Sequence, residues 1–516
     1  MSDLKKKLDK GIAYLKRNGV RKSICRAGRK AVLSREIPYE VWLKGHTANQ
    51  KELERQKKEA WKYQEKTEIR IFPTMFTQKQ TNVDGNMETE NIQTEYVLFL
   101  REGTKLRPEA VFEMTKEAEK YEETIVLYTD HDVIGTDGRL KEPFCKPDYD
   151  PVWQRQQNYM GAALLVSKEV AEELMKEPVL SEKEITAGTE EKLWQQLEEL
   201  VLQKAEKTVH LPKLLYHVTE ELEKELEEIR TFPKAEIEVR EDLLSVIIPN
   251  KDHIEDLKLC VNSLLEHGGY EHLEILIVEN NSVEQKTFCG YEELQRQDKR
   301  IRILNWSGIF NYSAINNEAV RKAKGNYLLF LNNDTQVKEP GALLELMTCM
   351  QREKAGAVGA RLLYGDLTIQ HGGVVLGYGG IAGHAFEGMQ QELYEKQRYA
   401  KVARQMSAVT AACMLVDRRA FEQIGGFTEE LGVAYNDIDL CMKLRRAGWI
   451  VVYDPAAQLY HYESQTRGFE MSTQKAERVR REAEYFCQKW KEEIDRGDPF
   501  YNPGLTLEKP DFSLRR

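Results

Sequence analysis

The sequence predicts an α/β protein whose main domain is a Rossmann-like, mostly parallel sheet, preceded by a truncated and degenerate copy of the same fold. Three observations carry this. From residue 243 onward, short Val/Ile/Leu-rich runs alternate with amphipathic helical patterns, as in a sheet covered on both faces. Polar residues gather where each run ends, which is where such sheets place ligands. Blocks of the second half recur, in order, in the first.

LLSVII at 243–248 is an apolar run closed by Pro249, Asn250 and Lys251, and a helical pattern through Leu257, Val261 and Leu265 follows. LEILIV then runs into Glu279, Asn280, Asn281 and Ser282. Glu279 at that edge suits a base N–H or a ribose hydroxyl, and ENNS equally suits a plain turn. YLLFL at 327–331 delivers Asn332, Asn333 and Asp334. A carboxylate with amide oxygens beside it suits a hard divalent cation shared with diphosphate oxygens, or these residues shape a turn before the helix after Pro340. Asn436 and Asp437 open the helical pattern of NDIDLCMKLRRAGW. An acid in a first helical turn is held ionised by the free N–H groups, as a general base requires, while Asn and Asp are also ordinary N-caps. His461 ends a strand-like run and is either a metal ligand or a core histidine.

Self-comparison matches EYVLFLREGT at 95–104 to NYLLFLNNDT at 326–335, an offset of 231 residues that sets Gly103 against Asp334. GAALLVSKEV at 161–170 follows AACMLVDRRA at 411–420, and LPKLLYH at 211–217 follows DPAAQLYH at 454–461. Three ordered blocks mean duplication of a domain. About 80 residues separate the opening strand at 243 from Tyr327, but fewer than 30 separate TEIRIF at 67–72 from Tyr96. The first copy therefore lacks about two βα units, those that hold a nucleotide in such sheets. The expected divisions are a basic amphipathic segment at 1–34, the truncated copy at 35–235, the full domain at 240–470, and a helix and tail at 471–516.

The chain has 516 residues with 75 basic and 85 acidic side chains, a net charge of −10, which disfavours a general nucleic-acid binder. Its eight cysteines form no C-x-x-C pair, so reduced cytosolic thiols are expected rather than a zinc knuckle or a disulfide framework. No apolar run reaches the roughly 20 residues that span a bilayer, so the expected location is the cytoplasm. Residues 1–30 hold eleven Lys or Arg around Leu4, Leu8, Ile12 and Leu15, a pattern for peripheral contact with an anionic membrane or for a solvated terminal helix. Residues 51–67 and 217–230 read as charged helices outside any core.

Taken in order, FNYSAINN at 310–317, LNNDT at 331–335, GGIAGHAFEG at 379–388, NDIDLCMKLRRAGW at 436–449 and LYHYESQTRG at 459–468 resemble the family-2 glycosyltransferases of GT-A fold. The likeness is closest to bacterial rhamnosyltransferases and O-antigen or cell-wall polysaccharide transferases. It implies that Pro249, Lys251, Glu279 and Ser282 hold a nucleotide-diphosphate sugar, with Asn317 and Asn333 near the diphosphate. It implies Asp334 and His461 as ligands of Mg²⁺ or Mn²⁺ and Asp437 as the base of an inverting transfer. The aromatic and glycine-rich loop GYGGIAGHAFEG, with Trp306, Gly380 and His384, suits an acceptor sugar, as does Asn436 beside the base, and a plain structural loop is the alternative. The implied donor is dTDP-rhamnose or a UDP-hexose, and the implied acceptor a growing or polyprenyl-linked glycan.

Two departures stand out. The family's D-x-D is Asn332-Asn333-Asp334, and the acid before the base is Asn436. They leave room for a catalytically silent carbohydrate-binding or assembly scaffold. An NAD-dependent oxidoreductase is the remote alternative: Gly377-Tyr378-Gly379-Gly380-Ile381-Ala382 fits G-x-G-x-x-A, but no helical pattern follows it. In the first copy, Glu190 and Glu191 fall near the position of the base, without a donor site to serve.

Overall fold

A computed structural model describes residues 39–72, 92–176, 190–230, 242–462 and 473–515, and the basic segment at 1–34 lies outside them. The first half forms a sheet from β1 (Thr67–Phe72), β2 (Tyr96–Arg101), β3 (Thr104–Leu106), β4 (Ile125–Ile134), β5 (Leu140–Phe144), β6 (Ala163–Ser167) and β7 (Lys207–Thr219). Its order is β1-β2-β6-β4-β7-β3, with β5 beside β4.

The second sheet contains β8 (Leu244–Asn250), β9 (Leu273–Asn280), β10 (Ile301–Trp306), β11 (Tyr327–Leu331), β12 (Thr335–Val337), β13 (Ala357–Leu363) and β14 (Ile369–His371). A separate hairpin, β15 (Val374–Leu376) and β16 (Ala382–His384), precedes its last strands β17 (Arg404–Gln405), β18 (Cys413–Asp417) and β19 (Val451–His461). The order is β10-β9-β8-β11-β18-β13-β19-β12, with β14 beside β13 and β17 beside β19.

From β8 onward the second order repeats the first strand for strand. β1 and β2 are parallel as β8 and β11 are, β2 and β6 antiparallel as β11 and β18 are, and β4 and β7 parallel as β13 and β19 are. A register shift recurs at Thr129/Asp130 in β4 and at Ala360/Arg361 in β13. Among the described residues, what the second sheet adds is the edge pair β9 and β10 and the short β17 beside β19.

The buried strands owe their place to composition: β9 and β11 are buried along their whole length. Apolar side chains packed on both faces favour that position by roughly 1.5–3 kcal/mol each. One face packs on the helices Ile254–His267 and Ala342–Glu353. The other packs on the helices Tyr312–Lys322 and Asn436–Arg446, and its core runs on through Trp490, Tyr501 and Phe512 of the tail to Trp42 and Cys145 of the first half.

Polar contacts also tie the halves together. Asp150 caps the helix Pro151–Gln156 and accepts the Gln405 backbone N–H at 2.7 Å. Arg398 pairs with Glu223 and, at 2.7 Å, with Glu227. The buried Arg404 lies over the Trp153 ring and donates to the Phe500 carbonyl at 2.8 Å. Asn502 donates to Asp130 at 2.9 Å and to the Lys146 carbonyl at 2.7 Å.

These contacts correct the reading of 217–230 as a helix outside the core. Residues 217–219 end β7, and the helix Glu220–Glu227 buries Leu222, Glu223 and Leu226. The first charged helix, Gln50–Gln64, is likewise docked: buried Gln56 donates to Glu113 at 2.7 Å, and Tyr63 meets Phe112 edge to face.

Candidate active site

β8, β9 and β11 are parallel, so their carboxyl ends share one edge. Asn250 of β8 sits in register with Glu279 of β9. A chain of polar contacts runs along this edge. Asn333 Nδ2 donates to Asn250 Oδ1 at 2.6 Å, Asn250 Nδ2 donates to Tyr291 Oη at 2.8 Å, and Tyr291 Oη donates to Glu279 at 3.1 Å. Glu279 also accepts the Ser282 N–H and hydroxyl, each at 2.6 Å, so its carboxylate shapes the very turn that was its rival reading. Asp252, His253 and Asn281 hold positive φ values of 53°, 47° and 55°. Such backbones cost on the order of 1–2 kcal/mol each and cluster where function holds them. Pro249 is half-buried inside β8, and Lys251 is exposed just beyond it.

Asp334 and His461 are brought together. Both are buried, and His461 Nε2 lies 3.2 Å from Asp334 Oδ1. Two cis ligands of an octahedral ion, each at about 2.1 Å, lie about 3 Å apart, so this pair fits a small divalent cation. Among the described residues no group of three or more His, Cys, Asp or Glu is arranged to hold a metal, so a cation held by this pair would need its remaining ligands from phosphate oxygens or water. Asn332 Nδ2 stands 3.1 Å from His461 Nε2, and Gln370 Oε1 stands 2.6 Å from His461 Nδ1.

Asp437 lies in the first turn of the helix Asn436–Arg446, whose N-cap is Tyr435 at φ 62°. Neither Asn436 nor Asp437 occupies the cap, which corrects the capping alternative. Asp437 Oδ1 accepts the adjacent Ile438 N–H at 2.9 Å, and Oδ2 accepts the Ala411 N–H at 3.2 Å. Asn332 N–H donates to the Ala412 carbonyl at 3.0 Å. The short segment that enters β18 therefore joins the residues beside Asp334 to Asp437. Asn436 Oδ1 accepts the Asp437 N–H at 2.8 Å, and its buried Nδ2 has no hydrogen-bond partner among the described residues.

The remaining expected residues divide. His384 stands beside this edge, its Nδ1 3.1 Å from the Gln370 carbonyl and its ring against that of His371. The Trp306 indole donates to the Ile309 carbonyl at 3.3 Å, closing its own loop. Gly380 holds φ 100° in the exposed link between β15 and β16. That hairpin, with only a one-turn 3₁₀ segment in it, stands where the dinucleotide motif requires a helix. Asn317 is spent elsewhere: Nδ2 donates to the Phe427 carbonyl and to Glu429, both at 3.0 Å, and Oδ1 accepts the Phe427 N–H at 2.9 Å. In the first half, Glu191 pairs with Arg101 at 2.6 Å instead of facing a site.

Sequence reasoning missed Tyr291, Gln370 and His371, and named Asn250 only as the close of a strand. Burial, with His384 and His461 close by, holds His371 well below the ordinary histidine range, so it is a neutral member of the cluster. The QHGG run at 370–373 was the one visible signal.

The second half is thus a mixed sheet whose β10-β9-β8-β11 side is parallel, with polar residues gathered at the carboxyl ends of its strands. Residues 245–425, which build most of the second sheet, match the model of glycosyl transferase family 2. It is 43% identical over 53% of its length to the uncharacterized protein y4gI of Sinorhizobium fredii, covering 30% of that protein. It is 33% identical over 82% of its length to the O-antigen biosynthesis protein RfbC of Myxococcus xanthus, covering 34% of it. A shorter match, 36% over 14% of this chain and 24% of the relative, is to N-acetylglucosaminyl-diphospho-decaprenol L-rhamnosyltransferase of Mycobacterium tuberculosis. The chain thus spans about a third of the length of the first two relatives. The solved structure of GalNAc-T7 with UDP, GalNAc and Mn²⁺ aligns at TM-score 0.40 and 13% identity over 49% of this chain and 50% of that one, too distant to inform the site.

Proposed function

We propose that the second domain moves a sugar, with inversion, from a nucleotide-diphosphate sugar to a growing or polyprenyl-linked cell-surface glycan. The carrying observation is Asp437: an acid in a first helical turn, outside the cap, whose carboxylate is steadied by Ala411 beside the residues that lead to Asp334. In the transfer, the acceptor oxygen bonds to the anomeric carbon as the bond to the diphosphate oxygen breaks. The electron pair leaves with the nucleoside diphosphate, and the acceptor proton passes to Asp437. Direct displacement needs no second carboxylate at the sugar.

On this reading Pro249, Lys251, Glu279, Ser282 and Asn333 line the donor side, and His384, Asn436, Trp306 and Gly380 the acceptor side. Asn317 drops out because its amide is already engaged. Asp334 and His461 would hold Mg²⁺ or Mn²⁺, which supplies charge to offset the departing diphosphate. The O-antigen and rhamnosyl relatives favour dTDP-rhamnose over a UDP-hexose. No helix among the described residues is long and apolar enough to cross a membrane. The basic amphipathic pattern of residues 1–33 supports peripheral contact with an anionic membrane that carries a lipid-linked acceptor, at its cytoplasmic face. Deleting 1–33 should then shift the protein from the membrane to the soluble fraction.

The test is a screen of sugar nucleotides for Mn²⁺-dependent protection from thermal unfolding. Asp334→Ala should lose the protection. Asp437→Ala should keep it while nucleoside-diphosphate release in the presence of acceptor falls by about 10²–10⁴-fold. Protection that ignores Asp334, or release that survives loss of Asp437, defeats the proposal. A catalytically silent scaffold, the alternative that Asn332 and Asn436 at two usually acidic positions leave open, would release nothing with any donor.

A further inference from the structure

Gln370 lies in the short strand β14, buried, and grips His461 from both ends. Its Nε2 donates to the His461 carbonyl at 3.3 Å. A carboxamide nitrogen only donates and its oxygen only accepts, so this contact fixes which end is which. Oε1 is thereby left facing His461 Nδ1 at 2.6 Å, and Nδ1 must carry the hydrogen. In the uncharged form of such a ring the lone pair lies on Nε2, the atom that stands 3.2 Å from Asp334 Oδ1. Asn332 Nδ2, at 3.1 Å, is placed to donate to that lone pair, which agrees with the same tautomer. A lone pair and a carboxylate at this separation repel each other until a cation joins them.

We infer that Gln370 is a positioning residue: it locks His461 in the Nδ1–H tautomer so that Nε2 and Asp334 form a ready-made bite for a divalent cation. The inference rests on the proposed role of Asp334 and His461. The first half supplies the contrast, for His217, which answers His461 in the repeat, turns Nδ1 toward the Asp132 carboxylate, and β5, which answers β14, reads LKEPF without a glutamine. There the acid is on the inner side of the ring and Gly103 stands where Asp334 would be.

Two measurements on the full chain test this. Selective ¹⁵N-histidine NMR should find His461 as the Nδ1–H tautomer, the minor one for a free imidazole; an Nε2–H form in the wild type overturns the inference without any variant. Mn²⁺ titration in the presence of dTDP, followed by electron paramagnetic resonance, should show Gln370→Leu binding about 10–100-fold more weakly, the usual loss when an outer-shell partner of a metal ligand is removed. Gln370→Glu, whose carboxylate still accepts from Nδ1, should bind at least as well as the wild type. Asp334→Asn separates the two ideas. If it binds Mn²⁺ like the wild type, the cation reading fails and this inference with it. If it loses Mn²⁺ while Gln370→Leu does not, the inference alone falls.

Discussion

The two sheets share strand order, pairing directions and a register shift, yet they have opposite relations to their edges. In the second, the carboxyl ends of β8, β9 and β11 present Asn250, Glu279 and the Asn332–Asp334 turn, and His461 faces an acid across the edge. In the first, the answering histidine is satisfied by Asp132, whose other oxygen takes the Tyr39 hydroxyl, and Asn502 of the tail reaches in to Asp130. The first edge is filled by its own chain. Among the described residues no strands of the first half answer β9 and β10, Gly103 stands in the place of Asp334, and the polar side chains at this edge are paired within the protein. The difference teaches that this sheet is stable without its chemistry, and that the degenerate copy now acts through its contacts with the other.

The strongest way to break the comparison is to unlock the halves. Asp150 caps a helix of the first half, accepts Gln405 of the second and faces the buried Arg404. Asp150→Ala leaves the backbone N–H groups of Gln405, Val152 and Trp153 without their acceptor in the interior, a loss on the order of 1–3 kcal/mol for each group left unsatisfied. Calorimetry should show one unfolding transition in the wild type and two in the variant. A single unshifted transition would mean that the interface is incidental.

A second contrast is in pH. Burial pushes Glu198 of the first half up to about 7 and Asp454 of the second up to about 6. In each case the unfolded carboxyl releases its proton at lower pH than the folded one, so the unfolded state binds fewer protons within the window and stability falls as pH rises. The fall for Glu198 runs from the ordinary glutamate range to about 7, and for Asp454 from the ordinary aspartate range to about 6. Each is worth on the order of 1–3 kcal/mol. Thermal unfolding followed against pH should lose the upper part of its slope in Glu198→Gln and the lower part in Asp454→Asn. Identical profiles for the two variants would contradict the assignment.

Much of this was legible in the sequence because buried strands repeat as apolar blocks: EYVLFL and NYLLFL gave away the duplication, and the polar residues just after 248, 278 and 331 marked the edge. The rest depended on partners far along the chain. The acidic helix Glu220–Glu227 looked solvated because Arg398, which answers Glu223 and Glu227, is more than 170 residues away. Asn317 looked like a ligand because the Phe427–Glu429 loop that consumes its amide has no periodic signal. Gln370 sits in a strand of three residues, too short for any pattern, and its meaning lies in which way an amide points.

The smallest expected effect sharpens the comparison most. Gly103 holds φ +84°, and a Cβ there would meet Thr219 Oγ1 at 3.3 Å. Gly103→Asp restores the missing acid at a cost of about 1 kcal/mol for the left-handed backbone. If the acid were all that the first copy had lost, the variant would bind two Mn²⁺ per chain in the presence of dTDP. The expected count stays at one: the His217 ring is committed to Asp132, and no strand beyond β1 among the described residues supplies the donor side. A second bound ion would show that one glycine, rather than the lost strands and the rebuilt interior, silenced the first domain.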